Sequence, residues 1–68
     1  MFMKTWLKVE RAKRNMTQAE LAKALGISTH AINSIETERY MPSVILACKI
    51  SRYFGRPVEE IFFLEETD

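Results

Sequence analysis

Amide and hydroxyl side chains are concentrated between residues 17 and 36. Asn33 can pair with adenine through two hydrogen bonds, and Thr29 can offer a hydroxyl or a methyl group to thymine. Gln18 and Ser28 stand where two helices are expected to begin, and a helix N-terminus attracts phosphate. Contacts to bases read a sequence, whereas contacts to phosphate fix the register without reading it. The alternative for each residue is a solvated position on a helix that binds nothing.

Catalysis and metal binding are not expected from this chain. It has one His, His30, and one Cys, Cys48, and no paired carboxylates that could flank a cleft. No second His or Cys lies at ligand spacing from His30, and no Gly-rich phosphate loop is present. We therefore expect a protein that is not an enzyme and that binds no metal, cofactor or small-molecule ligand. His30 is instead a candidate donor to guanine or to a phosphate.

Two short helices joined by a tight turn must position these polar groups. Thr17–Glu20 reads T-x-x-E, a capping box that begins the second helix of the chain, and Gly26 tolerates the positive φ that ends it. Ser28 then caps a third helix over Thr29–Glu36. Small and apolar residues recur at helical spacing: Leu21, Ala22, Leu25, Ile27, Ile32 and Ile35. This is the helix-turn-helix pattern over about residues 17–36, whose second helix enters the DNA major groove.

The remaining sequence predicts three more helices in the same domain, residues 1–68. The expected elements are a first helix over about Thr5–Arg14, a loop over Thr37–Pro42, a fourth helix from Ser43 to near Phe54, and a fifth beginning at Pro57. In the first helix we expect Trp6, Leu7 and Ala12 to be buried. The apolar run 61–64 either ends the fifth helix or forms a short strand.

Composition and charge bound the class of protein. A chain of 68 residues with 47% hydrophobic residues forms a globular domain with a small core, so oligomerisation is an expected source of stability. The absence of a long apolar run and of a signal-peptide pattern favours the cytoplasm, and Cys48 is expected to be a small buried hydrophobe. Residues 1–57 carry ten basic and four acidic residues, a net charge of +6, whereas 58–68 carry five acidic residues and no basic one. This distribution indicates a basic body that faces phosphate, unless the charges have no functional placement.

Five segments, taken in order, resemble the lambda-repressor-like (Cro/Xre) helix-turn-helix regulators over roughly residues 5–64. They are Arg11, TQAELAKALGIS, AINSIE, the loop ETERYMPS and RPVEEIF. The resemblance implies a compact all-α bundle of five helices. It also implies a DNA-binding transcriptional regulator that acts as a dimeric repressor or activator.

The resemblance assigns roles to individual residues. The solvent-facing residues of the third helix contact base edges, and here these are Thr29, His30, Asn33 and Ser34. Phosphate contacts are expected at Gln18, Ser28, Thr37, Arg39 and Arg11. Arg11 and Glu36 are expected to form an ion pair that orients the third helix, unless they are two unrelated surface charges.

The chain departs from the family pattern at four places. Glu38 stands where the loop commonly has Gly, so we expect a left-handed residue there. Glu10 replaces an apolar residue, and we expect it to pair with Arg14 or a nearby lysine. Ile45 replaces a polar residue and is expected to be exposed. The third helix lacks the Arg or Gln often found at its start, which predicts weaker or different base readout, with DNA shape as a further source of specificity.

A homodimer is expected because a monomer of this size contacts too few base pairs to select one genomic site. Two copies related by a two-fold axis would read a palindromic operator in double-stranded DNA. The expected dimer contact is Ile61, Phe62, Phe63 and Leu64, with Phe2 or Trp6, and short terminal strands can pair beside the helices. The alternative is that these side chains complete the core of the monomer.

The sequence therefore predicts a sequence-specific transcriptional regulator, with repression as the favoured outcome. The alternative function is an antitoxin-like or other protein-interaction module that also binds DNA.

Overall fold

The structure, a computed structural model, describes residues 3–65 of the chain. Its elements follow the order β1 (Met3–Thr5), α1 (Leu7–Ala12), α2 (Gln18–Leu25), α3 (Thr29–Glu36), α4 (Val44–Phe54), α5 (Val58–Ile61) and β2 (Phe62–Leu64). The two strands form an antiparallel sheet in which Met3 lies opposite Leu64 and Thr5 opposite Phe62. The predicted class is confirmed, since the domain is mostly helical with five helices and a small sheet between its two ends.

Capping side chains set the boundaries of α2 and α3. The Thr17 hydroxyl accepts a hydrogen bond from the Glu20 N–H at 3.0 Å, and the Glu20 carboxylate accepts one from the Thr17 N–H at 2.8 Å. Ser28 accepts from the Ala31 N–H at 3.0 Å. Gly26 ends α2 with a φ of 73°, a left-handed conformation that a residue with a Cβ adopts at a cost. Both boundaries of the predicted helix-turn-helix are confirmed.

The first helix is shorter than predicted, because Thr5 belongs to the sheet. The Thr5 hydroxyl donates to the Ile61 carbonyl at 3.0 Å and accepts from the Leu7 N–H at 3.0 Å, so it joins β1 to α1. At the other end, Asn15 adopts a φ of 54° and stops the helix before residue 15.

One core lies between the helices and the inner side of the sheet. Its members are Leu7, Leu21, Ala22, Leu25, Ile32, Ile35, Ile50, Phe54, Ile61 and Phe62. The predicted burial of Leu7 is confirmed. The predicted burial of Trp6 and Ala12 is wrong. Ala12 is exposed, because the inward face of α1 carries Leu7 and Glu10. Trp6 is 52% exposed and stacks on Phe63, with the ring centroids 5.8 Å apart.

Glu10 is an acidic residue buried in the fold, with 3% exposure. Its carboxylate forms ion pairs with Arg14 at 3.1 Å, Lys13 at 3.5 Å and Arg56 at 3.6 Å. The expected pairing with Arg14 and a nearby lysine is present, and Arg56 is an additional partner from the segment before α5. Burial raises the pKa of Glu10. The Arg14 hydrogen bond and the charges of Lys13 and Arg56 lower the pKa by more than burial raises it, so it lies below its ordinary value.

Two predictions about α4 have opposite outcomes. Ile45 is 71% exposed, as expected, whereas the expectation that Cys48 is buried is wrong because its thiol lies on the exposed side of the helix. Within residues 3–65, no helix is long and apolar enough to cross a membrane.

Candidate nucleic-acid interface

The outer side of α3 presents polar side chains to solvent. Thr29, His30 and Asn33 are exposed and Ser34 is partly exposed, while Ile32 and Ile35 on the opposite side are buried in the core. The helix is therefore fixed to the domain by its apolar side, and its polar side is available to a ligand.

Asn33 is held by a side chain of the preceding helix. The Gln18 amide nitrogen donates to the Asn33 side-chain oxygen at 3.2 Å and to the Glu36 carboxylate at 3.0 Å. Both amide hydrogens of Gln18 are thus engaged within the protein. The Gln18 side chain orients Asn33, and the backbone N–H of Gln18 has no partner within the helix.

Glu36 is held in turn by Arg11. The Arg11 Nε donates to the Glu36 carboxylate at 2.7 Å and its Nη2 at 3.2 Å, while Nη1 donates to the Met16 carbonyl at 2.6 Å. The Glu36 hydrogen bond raises the pKa of Arg11, more than burial lowers it, so the guanidinium stays charged. Arg11, Glu36, Gln18 and Asn33 form one hydrogen-bonded chain, which we call the anchoring network.

The anchoring network changes what is expected of Arg11. The side chain of Arg11 is 14% exposed and that of Glu36 is 3% exposed, so the pair is largely inside the domain. Arg11 positions α3 relative to α1, and little of its guanidinium remains for a phosphate.

The other residues that are expected to contact phosphate differ in whether their side-chain hydrogen-bond donors are already used within the protein. Ser28 caps α3 through its oxygen, which leaves its hydroxyl hydrogen to donate outward. Arg39 is exposed, and no hydrogen bond or ion pair joins its side chain to residues 3–65. The Thr37 hydroxyl donates to the Asn33 carbonyl at 2.8 Å, so it stabilises the end of α3 rather than pointing a hydrogen at solvent.

Glu38 lies beside this surface without presenting a free charge. It adopts the expected left-handed conformation, with a φ of 64°. Its carboxylate accepts a hydrogen bond from the Thr5 N–H at 3.1 Å and lies 3.5 Å from the Lys4 ammonium. These contacts tie the loop after α3 to β1 and reduce repulsion of a nearby phosphate.

The apolar run that was expected to form a dimer contact is divided by the fold. Ile61 and Phe62 are 0% and 6% exposed, so they belong to the core of the monomer and offer no surface. Phe63 is partly buried beneath Trp6, and Leu64 is 50% exposed. Phe2 lies outside the described residues.

Sequence reasoning did not find the role of Gln18 in orienting Asn33, nor the exposed apolar side of α4. On that side of α4 the sequence led us to expect exposure only at Ile45, although Val44 and Cys48 lie one turn apart on the same side of the helix. Metal-ligand clusters of three or more His, Cys, Asp or Glu side chains do not occur in residues 3–65.

This fold and this exposed helix define a class of proteins. A protein-family model for the helix-turn-helix matches residues 7–61 of the chain. An HTH-type transcriptional regulator of Methanocaldococcus jannaschii is 47% identical over 66 residues, which are 97% of this chain and 100% of the relative. One from Archaeoglobus fulgidus is 46% identical, covering 97% of this chain and 93% of the relative.

A solved structure agrees with the fold. The crystal structure of a candidate DNA-binding protein from Bacteroides fragilis superimposes with a TM-score of 0.79 at 21% identity, covering 90% of this chain and 98% of that one. The chain belongs to the Cro/C1-type (Xre) helix-turn-helix family of DNA-binding transcriptional regulators, a non-enzymatic family.

Proposed function

We propose that this protein is a sequence-specific regulator that binds a palindromic operator as a homodimer and represses transcription by occluding a promoter. The whole chain acts as one domain in the cytoplasm, where DNA is accessible. In this proposal α3 enters the major groove, with Thr29, His30, Asn33 and Ser34 at base edges. Ser28, Arg39 and the backbone N–H groups at the start of α2 contact phosphates.

The observation that carries the proposal is the placement of Asn33. It is exposed on α3, yet its side-chain oxygen is held at 3.2 Å by Gln18, while both hydrogens of its own amide stay available to donate. A bidentate contact to adenine needs such a donor together with an oxygen that has a second lone pair to offer. An amide that is oriented before binding loses less conformational entropy on contact with a base.

Fluorescence anisotropy tests the proposal with DNA from upstream of the gene for this protein and with a scrambled duplex, each at two salt concentrations. The expected preference for the upstream DNA is about 10³-fold or more. Equal and strongly salt-dependent binding to both duplexes would leave only a basic surface and would refute sequence-specific reading.

Two matched variants separate base reading from positioning. Asn33→Ala is expected to cost about 1–3 kcal/mol on the upstream DNA and to relax discrimination at one base position. Arg39→Ala is expected to weaken binding to both duplexes equally. It should also reduce the slope of log affinity against log salt concentration by about 1. If both variants changed all affinities alike, the division between reading and positioning residues would be wrong.

A further inference from the structure

Glu38 lies in the turn that ends α3. The Arg39 N–H donates to the Ser34 carbonyl at 3.0 Å, and the Glu38 N–H donates to the Ile35 carbonyl at 3.0 Å. These two bonds form the Schellman motif, in which the left-handed residue after the helix is usually glycine. Because Arg39 is the residue that follows, the backbone conformation of Glu38 sets the direction in which Arg39 leaves α3.

Glu38 adopts this conformation at a cost that glycine would avoid. Its φ is 64°, where a residue with a Cβ is strained. A strained residue persists when its surroundings hold it in place. Here the Glu38 carboxylate accepts a hydrogen bond from the Thr5 N–H at 3.1 Å and lies 3.5 Å from the Lys4 ammonium. Glycine could make neither contact, and we call the two contacts the Glu38 tether.

The Glu38 tether joins the turn to the terminal sheet, not to a single loose side chain. Lys4 also lies 3.8 Å from the Glu65 carboxylate, which follows β2, and Phe62 of β2 is buried in the core. Lys4, Glu38 and Arg39 line one groove, so the tether and the exposed cation are neighbours. Within residues 3–65 no side-chain partner holds the Arg39 guanidinium, and its direction therefore depends on the backbone of the turn.

We propose that Glu38 is a positioning residue for DNA binding, because its tether holds the turn after α3 against β1 and directs Arg39 toward a phosphate. This inference rests on the phosphate contact of Arg39 in the proposed function. It goes further by giving a favourable role to an acidic residue whose charge alone would repel DNA. A cation on a mobile turn gains less from a phosphate, since ordering the turn costs conformational entropy. The tether removes part of that cost before DNA arrives.

The charge of Glu38 gives the two possible roles opposite signs. If Glu38 acted through its charge alone, every neutral replacement would strengthen binding, since a carboxylate repels a nearby phosphate. If it acts through the tether, a replacement that loses the hydrogen-bond acceptor weakens binding although the repulsive charge is gone. Glu38→Gln keeps an oxygen that can accept from the Thr5 N–H, whereas Glu38→Gly keeps the left-handed turn without the tether.

Fluorescence anisotropy with the upstream duplex compares these variants. Glu38→Gly is expected to weaken binding about threefold to tenfold, the range of one hydrogen bond, whereas Glu38→Gln is expected to bind at least as tightly as wild type. Glu38→Asn, which tolerates the left-handed conformation on a shorter side chain, should weaken binding by a similar factor to Glu38→Gly. Circular dichroism verifies that each variant is folded. Binding by Glu38→Gly that equals or exceeds wild type would overturn the inference.

Glu65→Gln is the matched control for loss of a carboxylate. It removes a negative charge from beside the same lysine and leaves the turn after α3 untouched, so it is expected not to weaken binding. A loss in Glu65→Gln as large as in Glu38→Gly would assign the effect to Lys4 and the sheet, and would overturn a specific role of Glu38.

A double-mutant cycle shows whether Glu38 acts through Arg39. In the Arg39→Ala background, Glu38→Gly is expected to change the affinity less than about twofold, because no cation remains to be positioned. Equal losses in both backgrounds would place the effect in α3 or in folding, and would overturn the inference.

Amide hydrogen exchange followed by NMR gives an independent readout. The Thr5 amide is expected to exchange faster in Glu38→Gly than in wild type or Glu38→Gln. Coupling between two sites is reciprocal, so saturating DNA should slow the exchange of the Thr5 amide more in wild type than in Arg39→Ala. A Thr5 amide that exchanges at the same rate in wild type and Glu38→Gly would overturn the tether.

The outcomes separate this inference from the proposed function. If Arg39→Ala weakens binding and Glu38→Gly does not, the phosphate contact stands and the positioning role of Glu38 fails. If the upstream and scrambled duplexes bind equally, sequence-specific reading fails, whereas the effect of Glu38 can still be measured on either duplex, because phosphate contacts do not read sequence.

Discussion

Replacing Glu10 with Gln is expected to destabilise the domain in a pH-dependent way. The carboxylate is 3% exposed and accepts a hydrogen bond from Arg14 at 3.1 Å, with Lys13 and Arg56 farther away at 3.5 and 3.6 Å. A hydrogen bond to a charged group contributes about 1.5–3 kcal/mol. The longer pairs add little because Lys13 and Arg56 are partly hydrated, and desolvation of the carboxylate offsets part of the gain. We therefore expect a loss of about 2 kcal/mol at pH 7.

The sign of the pH dependence follows from the lowered pKa of Glu10 in the folded state. In the unfolded chain the pKa has its ordinary value of about 4.3. The stabilisation is therefore complete above that pH and is lost as the pH falls through the lower pKa of the folded state. The difference between wild type and Glu10→Gln should be constant from pH 7 to about pH 5 and should narrow below about pH 4.

Urea denaturation followed by circular dichroism at pH 7, 5 and 3 measures this difference. A chain of this length is stable by roughly 3–10 kcal/mol, so the loss at pH 7 should also lower Tm by about 10 °C. Glu59→Gln, an exposed carboxylate on α5, is the control and should change stability by less than about 0.5 kcal/mol. An equal loss at pH 3 and pH 7 would assign the effect to packing, and no loss at pH 7 would mean that desolvation cancels the ion pairs.

Three further predictions concern the anchoring network and the turn between α2 and α3. Gln18→Ala should weaken specific DNA binding, and a double-mutant cycle with Asn33→Ala by anisotropy should show a coupling of at least about 0.5 kcal/mol; additive losses would exclude the orienting role. Arg11→Met should lower the unfolding free energy by about 3 kcal/mol, because it leaves the Glu36 carboxylate buried without its cation, and adding Glu36→Gln should restore part of that loss in the same urea titration. Gly26→Ala should cost about 1 kcal/mol with unchanged DNA preference, since the φ of 73° strains any residue with a Cβ; an unchanged denaturation midpoint would contradict this.

Local signals in the sequence were sufficient for the helix-turn-helix. Thr17, Gly26 and Ser28 each bond to a backbone group no more than four residues away, so their effect can be read directly from the local sequence. The left-handed conformation at Glu38 was predicted from a comparable local departure, the replacement of a common glycine.

Features that depend on distant segments were harder to predict. Arg56 meets Glu10 across 46 residues of chain, and no local pattern indicates that pair. Helical spacing shows that apolar residues share a side of a helix but not whether that side meets the core, which explains the wrong expectations for Trp6 and Cys48. The anchoring network was predicted only in part, because the direction of the Gln18 amide depends on how α2 packs against α3.

The sheet of β1 and β2 joins the two ends of the described chain by hydrogen bonds, so the path of the backbone closes on itself without a covalent bond. Met3 and Leu64 lie opposite each other, so any polypeptide joined to either end departs from the same spot on the domain. A short peptide linking the two ends would complete the ring with little strain, and new termini could then be opened in the loop between α3 and α4. The order of the helices along the chain is therefore separable from their arrangement in space, which makes the domain a candidate for circular permutation.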